Sequence, residues 1–174
     1  MSSFVIFGNL ERPFERMAAA IKETYELFPK PLIIQAGANY GLFTDTPADI
    51  EVFHHCSFSD FSQFIQSASV IVTHGGVGAV KEAVLSGMRP AVFVRQGSRG
   101  EHIDNHQVDW CDLLFATQIA AKMWDARDLR KFLTNEVHRQ QDMIAAHEFF
   151  DETKLKSAIH AFVHNAVQAR RVRQ

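Results

Sequence analysis

Short apolar runs alternate with stretches of helical periodicity along most of this chain. Phe4-Val5-Ile6-Phe7 reads as a first strand that ends at Gly8, and Leu32-Ile33-Ile34 as a second that stops before Gly37. Ile50-Glu51-Val52-Phe53 is a third, Val70-Ile71-Val72 a fourth closed by Thr73 and His74, and Ala91 to Val94 a fifth. Runs this short and continuously apolar suit buried parallel strands. Between them, Phe14 to Phe28 places Met17, Ala20, Ile21, Tyr25 and Phe28 on one helical face. Ser59 is expected to cap a short helix with Phe61, Phe64, Ile65 and Ala68 at helical spacing. A helix is expected from Val77 to Ser86, stopped by Gly87, and another over Gln107 to Leu114. Asp125 caps a helix bearing Leu129, Phe132 and Leu133, and from Asp151 a last stripe joins Leu155, Ile159, Phe162, Val163 and Ala166.

This alternation predicts an α/β fold, a doubly wound parallel sheet with C-terminal helices. One domain is expected over residues 1–174, with a core at about 4–120 and a helical tail at about 121–174. With strand order 3-2-1-4-5, a ligand crevice falls between the first and fourth strands, between the loops at Gly8-Asn9-Leu10 and His74 to Gly78.

Composition narrows the function classes. The 174 residues are 47% hydrophobic and carry a net charge of −2, which gives no global pull toward nucleic acid. Cys56 and Cys111 are far apart and form no CxxC motif, as expected of inert thiols in a reducing compartment. The start of the chain has no basic region followed by a long apolar run, and no stretch is long enough to span a bilayer, so a cytoplasmic protein is expected. Nine histidines include i, i+4 pairs at His102/His106 and His160/His164, but no HExxH and no convergent third ligand, so no metal is expected. His54 and His55 read as a strand end with side chains on opposite faces. Arg170, Arg171 and Arg173 read as a solvated basic tail.

The chemistry-bearing stretch is Val70 to Leu85, where a strand runs into Gly75, Gly76 and Gly78 and then a helix. Glycines there let the backbone approach a ligand, and the free N–H groups of a first helical turn attract anions. A dinucleotide fold would need GxGxxG after the first strand and an acid ending the next, and a P-loop would need GK[ST]; neither is present.

His74-Gly75-Gly76-Val77-Gly78 with Glu82 eight residues past the histidine resembles H-x-G-x-x-S-x-x-E, the donor-site signature of GT-B glycosyltransferases. Gly100-Glu101-His102-Ile103-Asp104-Asn105-His106-Gln107 resembles the GEHxDxHQ segment of a narrower group, the small catalytic subunits of two-component glycosyltransferases. Phe7 to Arg16 is similar to that group's opening segment, with Asn9 and Leu10 in place of two threonines. All resemble the C-terminal, donor-binding domain of glycosyltransferase family 28, over roughly Phe4 to Leu114.

The resemblance implies a Rossmann-like domain equivalent to the C-terminal half of a GT-B enzyme, with UDP-sugar as a substrate and no cofactor. It implies Gly8 and Asn9 beside the diphosphate, His74, Gly75, Gly76 and Gly78 around the phosphates with His74 stabilising the leaving group, and Glu82 on the ribose. Glu101 and His102 would reach the transferred sugar, a hexose such as GlcNAc, and Asn105 and Gln107 would shape that loop. The acceptor, a lipid-linked saccharide, and the general base would belong to a membrane-anchored partner subunit that recruits this chain peripherally to the membrane. Ala79 stands where the pattern usually has serine, which removes one hydroxyl–phosphate hydrogen bond worth about 1 kcal/mol. The competing class is a non-catalytic sugar-nucleotide-binding or scaffold module. A related hydrolase or epimerase would need both halves in one chain.

Overall fold

The structure, a computed structural model, describes residues 2–139 together with 157 and 160. Six parallel strands form one sheet: β1 (Ser2–Ile6), β2 (Leu32–Gln35), β3 (Ile50–Phe53), β4 (Ala68–His74), β5 (Ala91–Phe93) and β6 (Ala121–Met123). Their order is β3-β2-β1-β4-β5-β6, so the chain reverses its direction of travel across the sheet between β1 and β4, as the analogy with doubly wound folds leads one to expect. Five helices connect or follow them: α1 (Glu15–Lys22), α2 (Phe58–Ser67), α3 (Val77–Leu85), α4 (His106–Ala116) and α5 (Ala126–Arg139).

The strand residues alternate between two apolar layers, which is what makes each strand read as a continuous apolar run. Val5, Phe7, Leu32, Ile34, Val70, Val72 and Phe93 pack with Met17 and Ile21 of α1 and Leu129 and Leu133 of α5. On the other side Phe4, Ile6, Ile33 and Ile71 meet Ile65 of α2 and Ala83 of α3, while Val92 and Val94 meet Val80, Val84 and Trp110. The sheet is thus covered on both faces.

Several local expectations are corrected. The helix expected over 14–28 ends at Lys22, and Tyr25–Leu27 forms a separate 3-10 turn. The Thr24 hydroxyl bonds back to Ala20 O at 2.8 Å, and Pro29 holds Phe28 extended. Ser57, not Ser59, caps α2, accepting the Asp60 N–H at 3.1 Å, and Ala68 opens β4 instead of continuing the helical stripe. Helix α3 stops as expected: Gly87 takes φ +81°, and the N–H groups of Gly87 and Met88 reach back to Val84 O and Ala83 O. The sheet also continues past residue 120, because β6 pairs with β5 and α5 joins the main core. His54 and His55 do not diverge; their ring centroids lie 5.0 Å apart, with Tyr40 stacked on His54 at 5.2 Å. The stripe expected from Asp151 lies outside the described residues.

Candidate functional site

At the reversal between β1 and β4, the C-terminal strand ends open onto two glycine-bearing loops. Gly8 leaves β1 at φ +76°, a conformation that penalises any side chain. Gln35, the last residue of β2, fastens that loop from both sides. Its Oε1 accepts the Gly8 N–H at 2.9 Å, and its Nε2 donates to Gly8 O at 3.3 Å and His54 O at 3.2 Å. Asn39 accepts the Phe14 N–H and donates to Ala36 O, which anchors the start of α1.

Beside Gly8 stands His74. Its Nδ1 accepts the Gly76 N–H at 3.1 Å, so the neutral ring carries its proton on Nε2, the nitrogen turned toward Gly8. A Cβ on either Gly8 or Gly76 would overlap the imidazole. Both glycines therefore clasp the ring. Burial, with Arg95 and His102 nearby, pushes the His74 pKa down to about 3, which leaves the imidazole uncharged near neutrality.

Gly75 and Gly78 have different surroundings. A Cβ on Gly75 would meet Cys111 Sγ at 2.8 Å and Gln107 Oε1 at 3.4 Å, so Gly75 lets α4 pack against the loop. Burial raises the Cys111 thiol to about 12, an inert group. Around Gly78 a Cβ would meet nothing within 4 Å. Gly76 is the N-cap of α3 and has no side chain to satisfy the first-turn N–H groups, which stay available to an anion. Glu82 lies one turn past Gly78 on the same face of α3, half-exposed, with Lys81 at 3.6 Å. Ala79 packs against the apolar layer of Phe4, Ile6 and Ile71. Asn9 is exposed at the tip of the β1 loop.

The downstream loop is built differently. Glu101 is 7% exposed, and both carboxylate oxygens are engaged. Arg16 Nε donates to Oε1 at 3.1 Å, Arg16 Nη2 to Oε2 at 3.0 Å, and the Gln96 N–H to Oε2 at 3.0 Å. Asn105 Oδ1 accepts the Gly97 N–H at 2.9 Å. His102 Nδ1 accepts the Asp104 N–H at 3.3 Å and lies 3.2 Å from the Asp104 carboxylate. Gln107 is buried against Gly75, its Oε1 without a hydrogen-bond partner among the described residues.

Sequence reasoning did not find Gln35, Asn39, Arg16 or Arg95. Arg95 is 0% exposed at the end of β5 and donates to Phe7 O, Arg12 O and Glu101 O, with its guanidinium 4.5 Å from the Phe14 ring centroid. Burial lowers its pKa to about 10, against the pull of Glu101. The available signal was a polar residue ending an apolar run, at Gln35 and again at Arg95. Among the described residues no group of three His, Cys, Asp or Glu side chains is placed to hold a metal ion, and no helix is long and apolar enough to cross a membrane.

Two solved structures share this architecture. The glycosyltransferase SnogD from Streptomyces nogalater is similar over 92% of this chain, with a TM-score of 0.56 and 16% identity. The glycotransferase of kitacinnamycin is similar over 96%, with a TM-score of 0.58 and 17% identity. This chain spans 43% of the length of each. No curated protein matches it. The family model that does match describes the glycosyltransferase family 28 C-terminal domain and aligns with residues 11–162. That match takes in most of the chain, and with the sheet order and the loop at His74 it places this protein in glycosyltransferase family 28 as a C-terminal domain.

Proposed function

We propose that this domain binds the sugar-nucleotide donor, a UDP-hexose such as UDP-GlcNAc, for a two-component GT-B glycosyltransferase. The observation that carries the reading is the uncapped N-terminus of α3, with neutral His74 behind it and Glu82 along the open face from Gly78. A diphosphate laid over Gly78 meets the first-turn N–H groups and the positive end of the helix. Glu82 then accepts from the ribose hydroxyls, a pairing with well-defined geometry. Transfer proceeds by direct displacement at the anomeric carbon. The His74 Nε2–H and the α3 amides stabilise the diphosphate as negative charge develops on it, and they need no reorganisation to do so.

The general base and the lipid-linked saccharide acceptor belong to a separate, membrane-anchored subunit, which also brings this chain to the membrane from the cytoplasmic side. Calorimetric titration with UDP and UDP-GlcNAc tests the donor site: saturable binding is expected, and Glu82→Ala weakens it about tenfold, or about 1.4 kcal/mol. Absence of saturable UDP binding overturns the reading. Ala79, packed into the apolar layer where the family pattern has a hydroxyl, favours a second reading, a non-catalytic sugar-nucleotide module. Transfer to a lipid acceptor by the chain co-purified with its partner decides between the two.

A further inference from the structure

The Arg16–Glu101 clamp joins parts of the chain 85 residues apart, and neither side chain is needed to build the α3 cradle. Arg16 spends its whole guanidinium on this corner of the molecule. Beyond its two bonds to Glu101, Nη2 donates to Val94 O at 2.9 Å and Nη1 to Trp124 O at 2.9 Å. Its plane lies near aromatic rings as well, 4.6 Å from the Trp124 centroid and 5.2 Å from that of Phe14. Arg16 therefore ties α1 to the exits of β5 and β6. The pair is largely buried, with side-chain exposures of 14% and 9%, so screening by solvent is weak.

Glu101 in turn closes its own loop. Its carboxylate takes the Gln96 N–H, and its backbone N–H reaches Gln96 O at 3.1 Å. Arg95 donates to Glu101 O and to Phe7 O, which links this loop to the exit of β1 just before Gly8. The loop that carries His102 runs on to Gln107, whose Oε1 would lie 3.4 Å from a Cβ on Gly75, so it packs directly against the cradle. The loop that carries His102 is thus braced beside the cradle through Glu101 and Arg95. The cradle itself rests on bonds that involve neither Arg16 nor Glu101: the Gly76 N–H on His74, and Gln35 on Gly8.

We infer that Arg16 is a positioning residue for recognition of the transferred sugar. It acts through Glu101 on the His102 loop, and Glu101 serves as the brace of that loop and not as a direct ligand of the sugar. The inference rests on the donor-site reading above and adds to it a division of labour: nucleotide affinity on α3, sugar affinity on the clamped loop.

The test is paired titration of the full-length chain with UDP and with UDP-GlcNAc, for the unaltered protein, Arg16→Lys and Glu101→Gln. Circular dichroism at the assay temperature verifies folding, and Arg16→Lys carries the test if Glu101→Gln does not fold. The expected result is UDP affinity within about twofold in every variant, because the α3 contacts are intact. The ratio of UDP-GlcNAc to UDP affinity drops about tenfold in Glu101→Gln, the size of one charge-assisted hydrogen bond lost. It drops less in Arg16→Lys, which keeps the charge but loses the two-pronged geometry. A parallel fall in both affinities shows a merely structural clamp and overturns the proposal. A loss confined to Glu101→Gln, with Arg16→Lys indistinguishable from the unaltered chain, shows direct sugar contact by Glu101 and overturns it too. An unchanged ratio in both variants has the same force. If the unaltered chain binds no UDP at all, the donor-site reading fails first and takes this inference with it.

Discussion

The two loops that face the crevice spend their polar groups in opposite ways. At the N-terminus of α3 the backbone donors are left open: Gly76 caps without a side chain, Gly78 faces empty space, and the half-exposed Glu82 pairs with its neighbour Lys81. In the loop from Gln96 to Gln107, Glu101 and Asn105 are consumed within the protein. Open donors beside a neutral imidazole suit a ligand that supplies its own charge. A loop braced by a buried ion pair suits a ligand whose shape must be matched. On the reading proposed above, a motif residue serves the site without facing it.

The glycines offer the widest separation between the two kinds of role. Gly8→Ala combines a disallowed φ with overlap on the His74 ring, and Gly76→Ala adds the same overlap from the other side. Both are expected to abolish UDP binding in a calorimetric titration. Gly8→Ala should also lower the thermal midpoint, at a cost of about 1–3 kcal/mol for the strained backbone. Gly78→Ala adds a methyl in open space and removes a helical glycine, so stability should rise by up to about 1 kcal/mol while UDP affinity falls. Equal destabilisation by Gly78→Ala and Gly8→Ala would erase the distinction.

The acids come next in size. Glu101→Ala leaves the Arg16 guanidinium largely buried without its carboxylate, a loss of about 3 kcal/mol in chemical denaturation. Glu82→Ala removes a half-exposed carboxylate and should change stability by less than about 0.5 kcal/mol, with its effect confined to UDP binding.

A pH series isolates His74. Its folded pKa is depressed to about 3, whereas an unfolded chain takes up that proton near 6.5. Below about 6.5 the unfolded state therefore binds more protons, and the contribution to stability is lost progressively as pH falls toward 3. His74→Gln, which cannot titrate, should flatten that part of the profile. UDP affinity should stay level between about pH 7 and 8, where His74 is neutral throughout. The smallest effect is expected of Ala79→Ser, which restores a hydroxyl at the first turn of α3 and tightens UDP binding by about 1 kcal/mol if it points to the ligand side. A loss of stability without tighter binding would mean that the apolar layer has claimed the position.

Much of this was written into the chain locally. The apolar strands and the glycine-bearing turn after β4 follow from short-range pattern, whereas the sheet order comes from analogy with doubly wound folds, and the structure has all three. Strand β6 escaped because it is three residues long with Lys122 in the middle, a pattern suited to an edge strand but too short to read. Helix α1 was overextended because the apolar spacing runs on through Tyr25 and Phe28, while Thr24 and Pro29 end the helix by local bonding. The roles of Arg16 and Gln35 were invisible for another reason. Each acts on a backbone or carboxylate brought near only by the finished sheet, 85 residues away in one case and 27 in the other.

The α3 cradle is the centre of the account, and amide chemical shifts test it most directly. In a titration of isotopically labelled chain with UDP, the amides of Gly76, Val77, Gly78 and Ala79 should shift together and saturate, while uridine without phosphate moves them little. Shifts confined to other elements, or no saturable response at these four amides, would contradict the assignment of the helix terminus as the diphosphate site.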